Sequence, residues 1–119
     1  MDLAPLPRAE KPVIWRGSSL RDVRSFSALG RRAIGRQLSK LQEGKEPSDW
    51  KPLPTVGTGV IEIRAHGDGE HRVIVVARFA EAVYVLHAFM KTSRKTSLRD
   101  LDLARRRWRD LLMERARDE

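Results

Sequence analysis

Two arginines flank a glycine-containing turn near the middle of the chain and together could bind an anion. Arg64 precedes the segment HGDGE and Arg72 follows it. Because side chains alternate along a strand, a hairpin loop of three or five residues centred on Asp68 places both arginines opposite each other on one face. Directly opposed like charges destabilise a sheet, so such a pair indicates an anion-binding site. The alternative is a surface salt bridge from Arg64 to Glu62 or Glu70.

A second basic segment follows the last run of β-prone residues. Lys91, Arg94 and Lys95 alternate there with threonines and serines in KTSRKTS. Interleaved polar and basic side chains suit a phosphate backbone, and the same composition is also typical of a solvated loop. His87 precedes this segment in an apolar strand, where a hydrogen-bonded core histidine is the default and a catalytic histidine is the alternative.

Arginine dominates the charge of the chain. Its 24 lysines and arginines outnumber 16 aspartates and glutamates, which gives a net charge of +8, and 18 of the basic residues are arginines. The planar arginine side chain can bind phosphate or carboxylate through two parallel hydrogen bonds, so the expected partner is anionic. The whole excess lies outside residues 51–90. A hydrophobic fraction of 40% in 119 residues supports one folded domain.

Several kinds of site are disfavoured by what the chain lacks. Without cysteine it forms no disulfide, thiolate metal site or cysteine nucleophile. The three histidines have none of the spacings that build zinc sites, and neither a glycine-rich phosphate loop nor a GxSxG motif is present. No apolar run approaches the roughly 18 to 20 residues that cross a bilayer, and no signal peptide is recognisable. We therefore expect a cytoplasmic protein that uses no metal, cofactor or membrane.

Proline content and residue spacing outline the elements of the N-terminal part. Residues 1–12 contain three prolines and predict a flexible leader to a single domain at 13–119. The β-prone run VIWR comes next. A capping-box pattern then places Ser19 three residues before Asp22 and predicts a short helix at about 20–26.

A second helix is predicted between two glycines. Gly30 is expected to interrupt the chain before it, and Gly44 to end it. Its apolar stripe, with spacings of four and three, consists of Ile34, Leu38 and Leu41. Residues 45–59 are expected to form a loop, because their prolines and glycines suit neither a helix nor a central strand.

The remaining chain predicts a β block followed by one long helix. Residues 60–90 contain three runs of β-branched and aromatic residues separated by turn signals, which predicts three antiparallel strands. Ser97 stands three residues before Asp100 in a second capping box. The helix that follows has an apolar stripe of Leu101, Ala104, Trp108 and Leu111. The predicted order is β-α-α-β-β-β-α, an α+β fold.

Four segments resemble the phage-derived HigB-like branch of the RelE/ParE toxin superfamily. They lie within residues 12–112 and read IWRGSSLRDVRSF, KPLPTVGTGVIEIR, HRVIVVARF and AVYVLHAFMKTSRKTSLRDLDLARRRW. The most specific part is LHAF-x-K, followed by a Lys/Thr/Ser run and then by the pattern D-x-x-x-A-x-x-R. That last pattern is formed by Asp100, Ala104 and Arg107.

The resemblance implies both a fold and an activity. The fold is RelE-like, with a twisted, mainly antiparallel sheet, two N-terminal helices on one face, a C-terminal helix and a cleft for messenger RNA. Such toxins belong to type II toxin–antitoxin systems and cut mRNA on the translating ribosome without a metal ion. The expected partners are therefore mRNA, ribosomal RNA and a cognate antitoxin, in this branch often a helix-turn-helix DNA-binding protein.

The resemblance also implies which residues act. Arg72 matches the family arginine expected to hold the scissile phosphate, Arg64 a basic position on the preceding strand, and Lys91 the basic residue after the last strand. We expect these three to be catalytic. Lys91 would be the general base if neighbouring positive charges depress its pKa, with His87 as the alternative base. The residues expected to bind substrate are Lys51, His87, Arg94 and Lys95.

Two other functions fit a small basic domain of this kind. One is a ParE-like toxin that inhibits DNA gyrase without cleaving anything. The other is a basic nucleic-acid-binding module with no activity of its own. The nuclease predicts that Arg72→Ala abolishes growth inhibition while the fold and antitoxin binding stay intact. The gyrase inhibitor predicts DNA damage signalling and relieved supercoiling with translation unaffected at first, and the binding module predicts no toxicity on expression.

Overall fold

The β-branched runs of the sequence form a five-stranded sheet with helices on both faces. The computed structural model describes residues 10–118. Its elements, in chain order, are β1 (Val13–Trp15), α1 (Ser19–Arg24), α2 (Ala28–Gln42), β2 (Trp50–Pro52), β3 (Val60–Ala65), β4 (His71–Val76), β5 (Val83–Met90) and α3 (Leu98–Arg117).

The sheet has the strand order β1-β5-β4-β3-β2. β1 runs parallel to β5, and the other neighbouring strands are antiparallel. The α+β class and the three strands between 60 and 90 are confirmed. The sheet is mixed, and its order along the chain contains one strand more than was predicted.

The additional strand corrects the prediction that residues 45–59 form only a loop. Trp50–Pro52 pairs with Ile61–Ile63 of β3 at the edge of the sheet. Proline is excluded from a central strand because it lacks the backbone N–H that the ladder needs, but on an edge strand that N–H can face away from the sheet and is not required. The proline argument was valid for the interior of a sheet and too strict for its edge.

Two apolar clusters lie on opposite faces of the sheet. α1 and α2 cover one face, where Phe26, Ile34 and Leu38 pack on residues that include Val73 and Val85. α3 covers the other face, and its buried residues Ala104, Trp108 and Leu111 pack there with Val60, Ile74, Val76 and Leu86. The predicted placement of the two N-terminal helices on one face is therefore confirmed.

The start of α1 differs from the predicted capping box. Ser19 is buried inside the helix, and its hydroxyl donates to the carbonyl of Val85 at 3.1 Å. Ser18 occupies the cap position instead and donates to Asp22 Oδ2 at 2.8 Å. Ser19, the predicted cap, instead links the helix to β5. This is a tertiary contact, which residue spacing within the helix cannot predict.

The starts of α2 and α3 both use serine caps. Ser27 accepts a hydrogen bond from the Gly30 amide at 3.1 Å, so Gly30 lies within the first turn of α2 and does not interrupt the chain as predicted. Ser97 accepts from the Asp100 amide at 3.1 Å, which confirms the cap of α3. The buried stripe of α3 is also confirmed.

Part of the predicted leader falls outside the described residues, since 1–9 are not among them. Its last residues are hydrogen-bonded to the domain: the Lys11 amide donates to Gln42 O at 3.3 Å, and Pro12 O accepts from the Val83 amide at 2.9 Å. Within residues 10–118 no helix is long and apolar enough to cross a membrane.

Two glycines of α2 allow a matched test of the packing. We expect Gly30→Ala to destabilise the protein by about 1–3 kcal/mol, because the new methyl group would overpack a tight contact. Its Cβ would lie 2.5 Å from Nε2 of His71, a buried ring that also packs on Phe26. Gly35→Ala meets nothing within 4 Å, and should stabilise the helix by about 0.5–1 kcal/mol. Urea unfolding measures both, and equal effects would contradict the contact between His71 and α2.

Candidate functional site

The β3–β4 hairpin brings the two predicted arginines face to face. Its register pairs Ala65 with His71 across a five-residue turn, and Arg64 with Arg72. The predicted parity is therefore confirmed. Val60 and Glu62 share the face of Arg64, since side chains at i and i+2 lie on one side of a strand. The arginines thus lie on the α3 side of the sheet, at the hairpin end, beyond the apolar residues on which α3 packs.

An open groove of about 650 Å³ adjoins this hairpin end. Arg72, Lys91 and Arg94 line it, so the structure brings three of the predicted residues together. The remaining lining residues are His66, Glu70, Thr92 and Ser93. Arg72 is buried apart from its contribution to the groove, and Arg94 is exposed.

Lys91 is the first residue of the basic loop, residues 91–97 between β5 and α3, and it extends the sheet by one hydrogen bond. Its amide donates to the carbonyl of Glu70 at 2.8 Å. Burial lowers the pKa of the Lys91 ammonium group. The negative charge of Glu62 raises it in part, and the positive charges of Arg72, Lys51 and Arg64 lower it again. The direction of the pKa shift is the predicted one. Its main cause is burial, the opposing charge of Glu62 comes second, and like charge follows.

Lys51 lies close to Arg64, Arg72 and Lys91, and these four residues form a basic cluster. It stands opposite Glu62 in the β2–β3 ladder, in the row next to the arginines. Its charge acts on Lys91, as the lowered pKa of Lys91 shows. The short strand that was predicted to be a loop is therefore what positions Lys51 near the arginine pair.

His87 and Lys95 are not brought into the groove. His87 is buried, with Nε2 2.7 Å from Asp100 Oδ1 and Nδ1 3.4 Å from Nη1 of Arg107. Because a guanidinium group only donates, these partners assign the proton of a neutral His87 to Nε2. The ring joins β5 to α3 and lines a different groove, between α1 and α3. Lys95 is exposed and does not line the groove beside Arg72.

Sequence reasoning missed a chain of ionic contacts around the rim of the groove. His66 contacts Asp49 Oδ2 at 2.6 Å and Glu70 Oε2 at 2.8 Å. Glu70 Oε2 in turn accepts from Nη1 of Arg72 at 3.0 Å, and Asp49 Oδ1 lies 4.0 Å from Nη1 of Arg64. Glu70 was considered as a partner of Arg64 and contacts Arg72 instead. No sequence pattern around Asp49 predicts its position on the rim, because only the pairing of β2 with β3 brings it next to Arg64 and His66.

These contacts shift the pKa values of His66, Asp49 and Glu70. The hydrogen bond to Asp49 is the main reason that the pKa of His66 is raised, and Glu70 adds to it. The His66 ring lowers the pKa of Asp49 in return, and Arg72 is the main cause that lowers the pKa of Glu70. Each arginine therefore faces an ionised rim carboxylate, which an incoming phosphate would have to displace.

Buried beneath the arginines lies Glu62, which contacts both of them. Its Oε1 is 3.6 Å from Nε of Arg64 and from Nε of Arg72. The sequence offered Glu62 as a surface partner of Arg64, but the structure makes it a fully buried one. Within the described part of the chain no group of three or more His, Cys, Asp or Glu side chains could hold a metal ion. The cluster instead presents arginine and lysine donors, which suit a phosphate.

The raised pKa of His66 predicts that the stabilising contacts of its ring with Asp49 and Glu70 depend on pH. The stabilisation from its protonated ring is complete below its ordinary pKa of about 6.5. It is lost as the pH rises through the higher value of the folded state. We expect NMR titration to show His66 titrating above its ordinary range, and Asp49→Asn to shift it down more than Glu70→Gln does. A wild-type His66 that titrates at its ordinary value would contradict this network.

Comparison with known proteins places the chain in a family. No curated protein matches it. The profile of the family described as "Phage derived protein Gp49-like (DUF891)" matches residues 21–109, about three quarters of the chain. The matched part includes all of β2 to β5, the arginine pair, Lys91 and the first half of α3. The chain therefore belongs to the phage-derived Gp49-like family.

Proposed function

We propose that this chain is the toxin of a type II toxin–antitoxin system and that it cleaves messenger RNA on the translating ribosome. Its family is a RelE/toxin-like one, which supports the toxin assignment. The observation that carries the proposal is the directly opposed pair Arg64–Arg72, of which Arg72 lines an open groove together with Lys91. Two opposed cations that lie next to an open surface favour a polyanionic substrate.

Binding would begin with exchange of anions at the arginines. An RNA phosphate replaces Glu70 on Nη1 of Arg72, and Asp49 withdraws from Arg64. Both rim carboxylates are partly exposed, so their release leaves no buried unpaired charge. The arginine forks then hold the phosphate through charge-assisted hydrogen bonds, which are stronger than neutral ones.

The chemistry follows from these groups. The 2′-oxygen of the preceding nucleotide attacks phosphorus, and its proton goes to Lys91. Lys91 can accept it because burial and like charge lower its pKa. The bond from phosphorus to the 5′-oxygen breaks, that oxygen takes a proton from solvent, and a 2′,3′-cyclic phosphate remains. Arg64 and Arg72 neutralise the charge that develops on the phosphorane oxygens.

Charge elsewhere on the chain would serve docking and inhibition. The net charge of +8 lies outside residues 51–90, on the helices, the terminal segments and the loop between β5 and α3. We propose that this charge attracts ribosomal RNA, and that the cognate antitoxin, a helix-turn-helix protein, covers the basic surface with acidic or amphipathic segments. An antitoxin seated on the groove would exclude mRNA by occupying the arginines.

A substitution that preserves charge tests the proposed role of Arg72. Arg72→Lys keeps a cation beside Glu62 but loses the planar fork, so we expect mRNA cleavage to fall by about 10²-fold with the fold intact. Primer extension on mRNA translated by purified ribosomes with the added protein measures it. Arg109→Lys, at an exposed position of α3, is the matched control. Growth arrest with intact mRNA and relaxed plasmid DNA would contradict the nuclease and favour gyrase inhibition.

Lys91→Gln tests the general base. We expect cleavage to fall by about 10²-fold or more. Since the neutral amine is the active form, the wild-type rate should rise with pH and level off at a value below the ordinary lysine pKa of about 10.4. That rise should disappear in the variant. Lys45→Gln removes an exposed lysine paired with Glu43 and is the control. An unchanged pH profile in Lys91→Gln would exclude Lys91 as the base.

A further inference from the structure

A single carboxylate lies beneath the arginine pair. Glu62 is 0% exposed in the middle of β3, on the face that carries Arg64 and Arg72. An ionised carboxylate away from water is costly unless opposite charges and hydrogen-bond donors surround it. Cations surround it here: Lys51 stands opposite Glu62 across the β2–β3 ladder, and Lys91 is close enough to feel its charge.

One oxygen of Glu62 is shared between the two arginines. Its Oε1 lies 3.6 Å from Nε of Arg64 and 3.6 Å from Nε of Arg72. All three atoms are buried, and none has a hydrogen-bond partner within residues 10–118. The carboxylate therefore attracts both guanidinium groups from the inner side. Nη1 of each arginine is directed instead to a rim carboxylate, Asp49 or Glu70.

The other oxygen of Glu62 holds the basic loop. The hydroxyl of Thr96 donates to Oε2 at 2.6 Å. Thr96 lies near the end of the loop between β5 and α3, and Lys91 at its beginning is held by the backbone of Glu70. The loop that carries Lys91 and Arg94 is thus fastened at both ends. Glu62 provides one of these fastenings.

We infer that Glu62 is a positioning residue for the RNA phosphate: it orients the Arg64–Arg72 pair through Oε1 and holds the Lys91 loop against that pair through Oε2. The inference rests on the proposed function and assigns a role to a side chain that does not touch substrate. The two carboxylates on Arg72 then have different roles. Glu62 acts from beneath, whereas Glu70 occupies the groove side, where the phosphate would bind.

Substitution of these two carboxylates separates positioning from simple charge. Glu62→Gln and Glu70→Gln each remove one negative charge near Arg72, so charge alone predicts tighter RNA binding and undiminished cleavage for both. Positioning predicts that Glu62→Gln lowers kcat by about 10²-fold, since misplaced catalytic groups cost that much. The Kd for an oligonucleotide blocked by a 2′-deoxynucleotide should stay equal or fall. Glu70→Gln should lower that Kd, because it removes the charged competitor for Nη1 of Arg72, which keeps its hydrogen bond to the His71 carbonyl. Wild-type kcat in Glu62→Gln would overturn the inference.

A second readout needs no catalysis. The Nε–H groups of Arg64 and Arg72 are buried, so we expect slow exchange with solvent in NMR spectra of the full chain. Glu62→Gln should speed that exchange, and Glu70→Gln should leave it slow. Unchanged exchange in Glu62→Gln would overturn the inference even if the wild-type protein cleaves mRNA. If Glu62→Gln speeds the exchange but the wild-type protein does not cleave mRNA, only the proposed function is contradicted.

Thr96 keeps the inference testable if Glu62→Gln fails to fold. Thr96→Val removes the donor to Oε2 at nearly constant volume, and we expect kcat to fall by about 10-fold, as for one lost hydrogen bond. Thr96→Ser retains the hydroxyl and should restore wild-type kcat. A Thr96→Val protein with unchanged kcat would overturn the role of Glu62 in holding the loop, and a Thr96→Ser protein that fails like Thr96→Val would do the same.

Discussion

Two guanidinium groups facing each other across a β-ladder are the constraint on which this site depends. Arg64 and Arg72 repel each other at a position where the sheet holds them in register. Glu62 offsets that repulsion from beneath, while Asp49 and Glu70 approach from the rim. The inner carboxylate is buried and fixed, whereas the rim carboxylates are partly exposed. The arginines therefore have a buried anion on one side and partly exposed ones on the other, which is the arrangement that the proposed exchange with an RNA phosphate requires.

The rest of the fold keeps this end of the sheet open. α3 begins at Leu98 and packs on the apolar part of its face, so the hairpin end remains beside the groove. The last part of the most specific sequence pattern, D-x-x-x-A-x-x-R, belongs to that packing. Asp100 and Arg107 both contact His87, Arg107 also donates to the Leu86 carbonyl at 2.9 Å, and Ala104 is buried against the sheet. This part of the pattern is thus a structural tie between α3 and β5, and neither Asp100 nor Arg107 lines the groove beside Arg72.

Local patterns predicted those features that depend on neighbouring residues. Strand alternation was enough to place Arg64 opposite Arg72, and apolar spacing was enough to find the buried stripe of α3. Features that depend on distant pairing were not predictable. The edge strand at Trp50–Pro52 forms only because β3 is there to pair with it. The burial of Glu62 depends on the loop that returns over it, and the partners of His87 come from a helix that begins eleven residues later.

The chemistry of the cut end tests the central claim most directly. A reporter mRNA translated by purified ribosomes with the wild-type protein should yield fragments that end in a 2′,3′-cyclic phosphate, as mass spectrometry of the 3′ ends can show. A single 2′-deoxynucleotide on the 5′ side of the cut should abolish cleavage there, because no 2′-oxygen remains to attack. Cleavage that persists at the deoxy position, fragments with 3′-hydroxyl ends, or an mRNA that stays intact while growth is arrested would contradict the account.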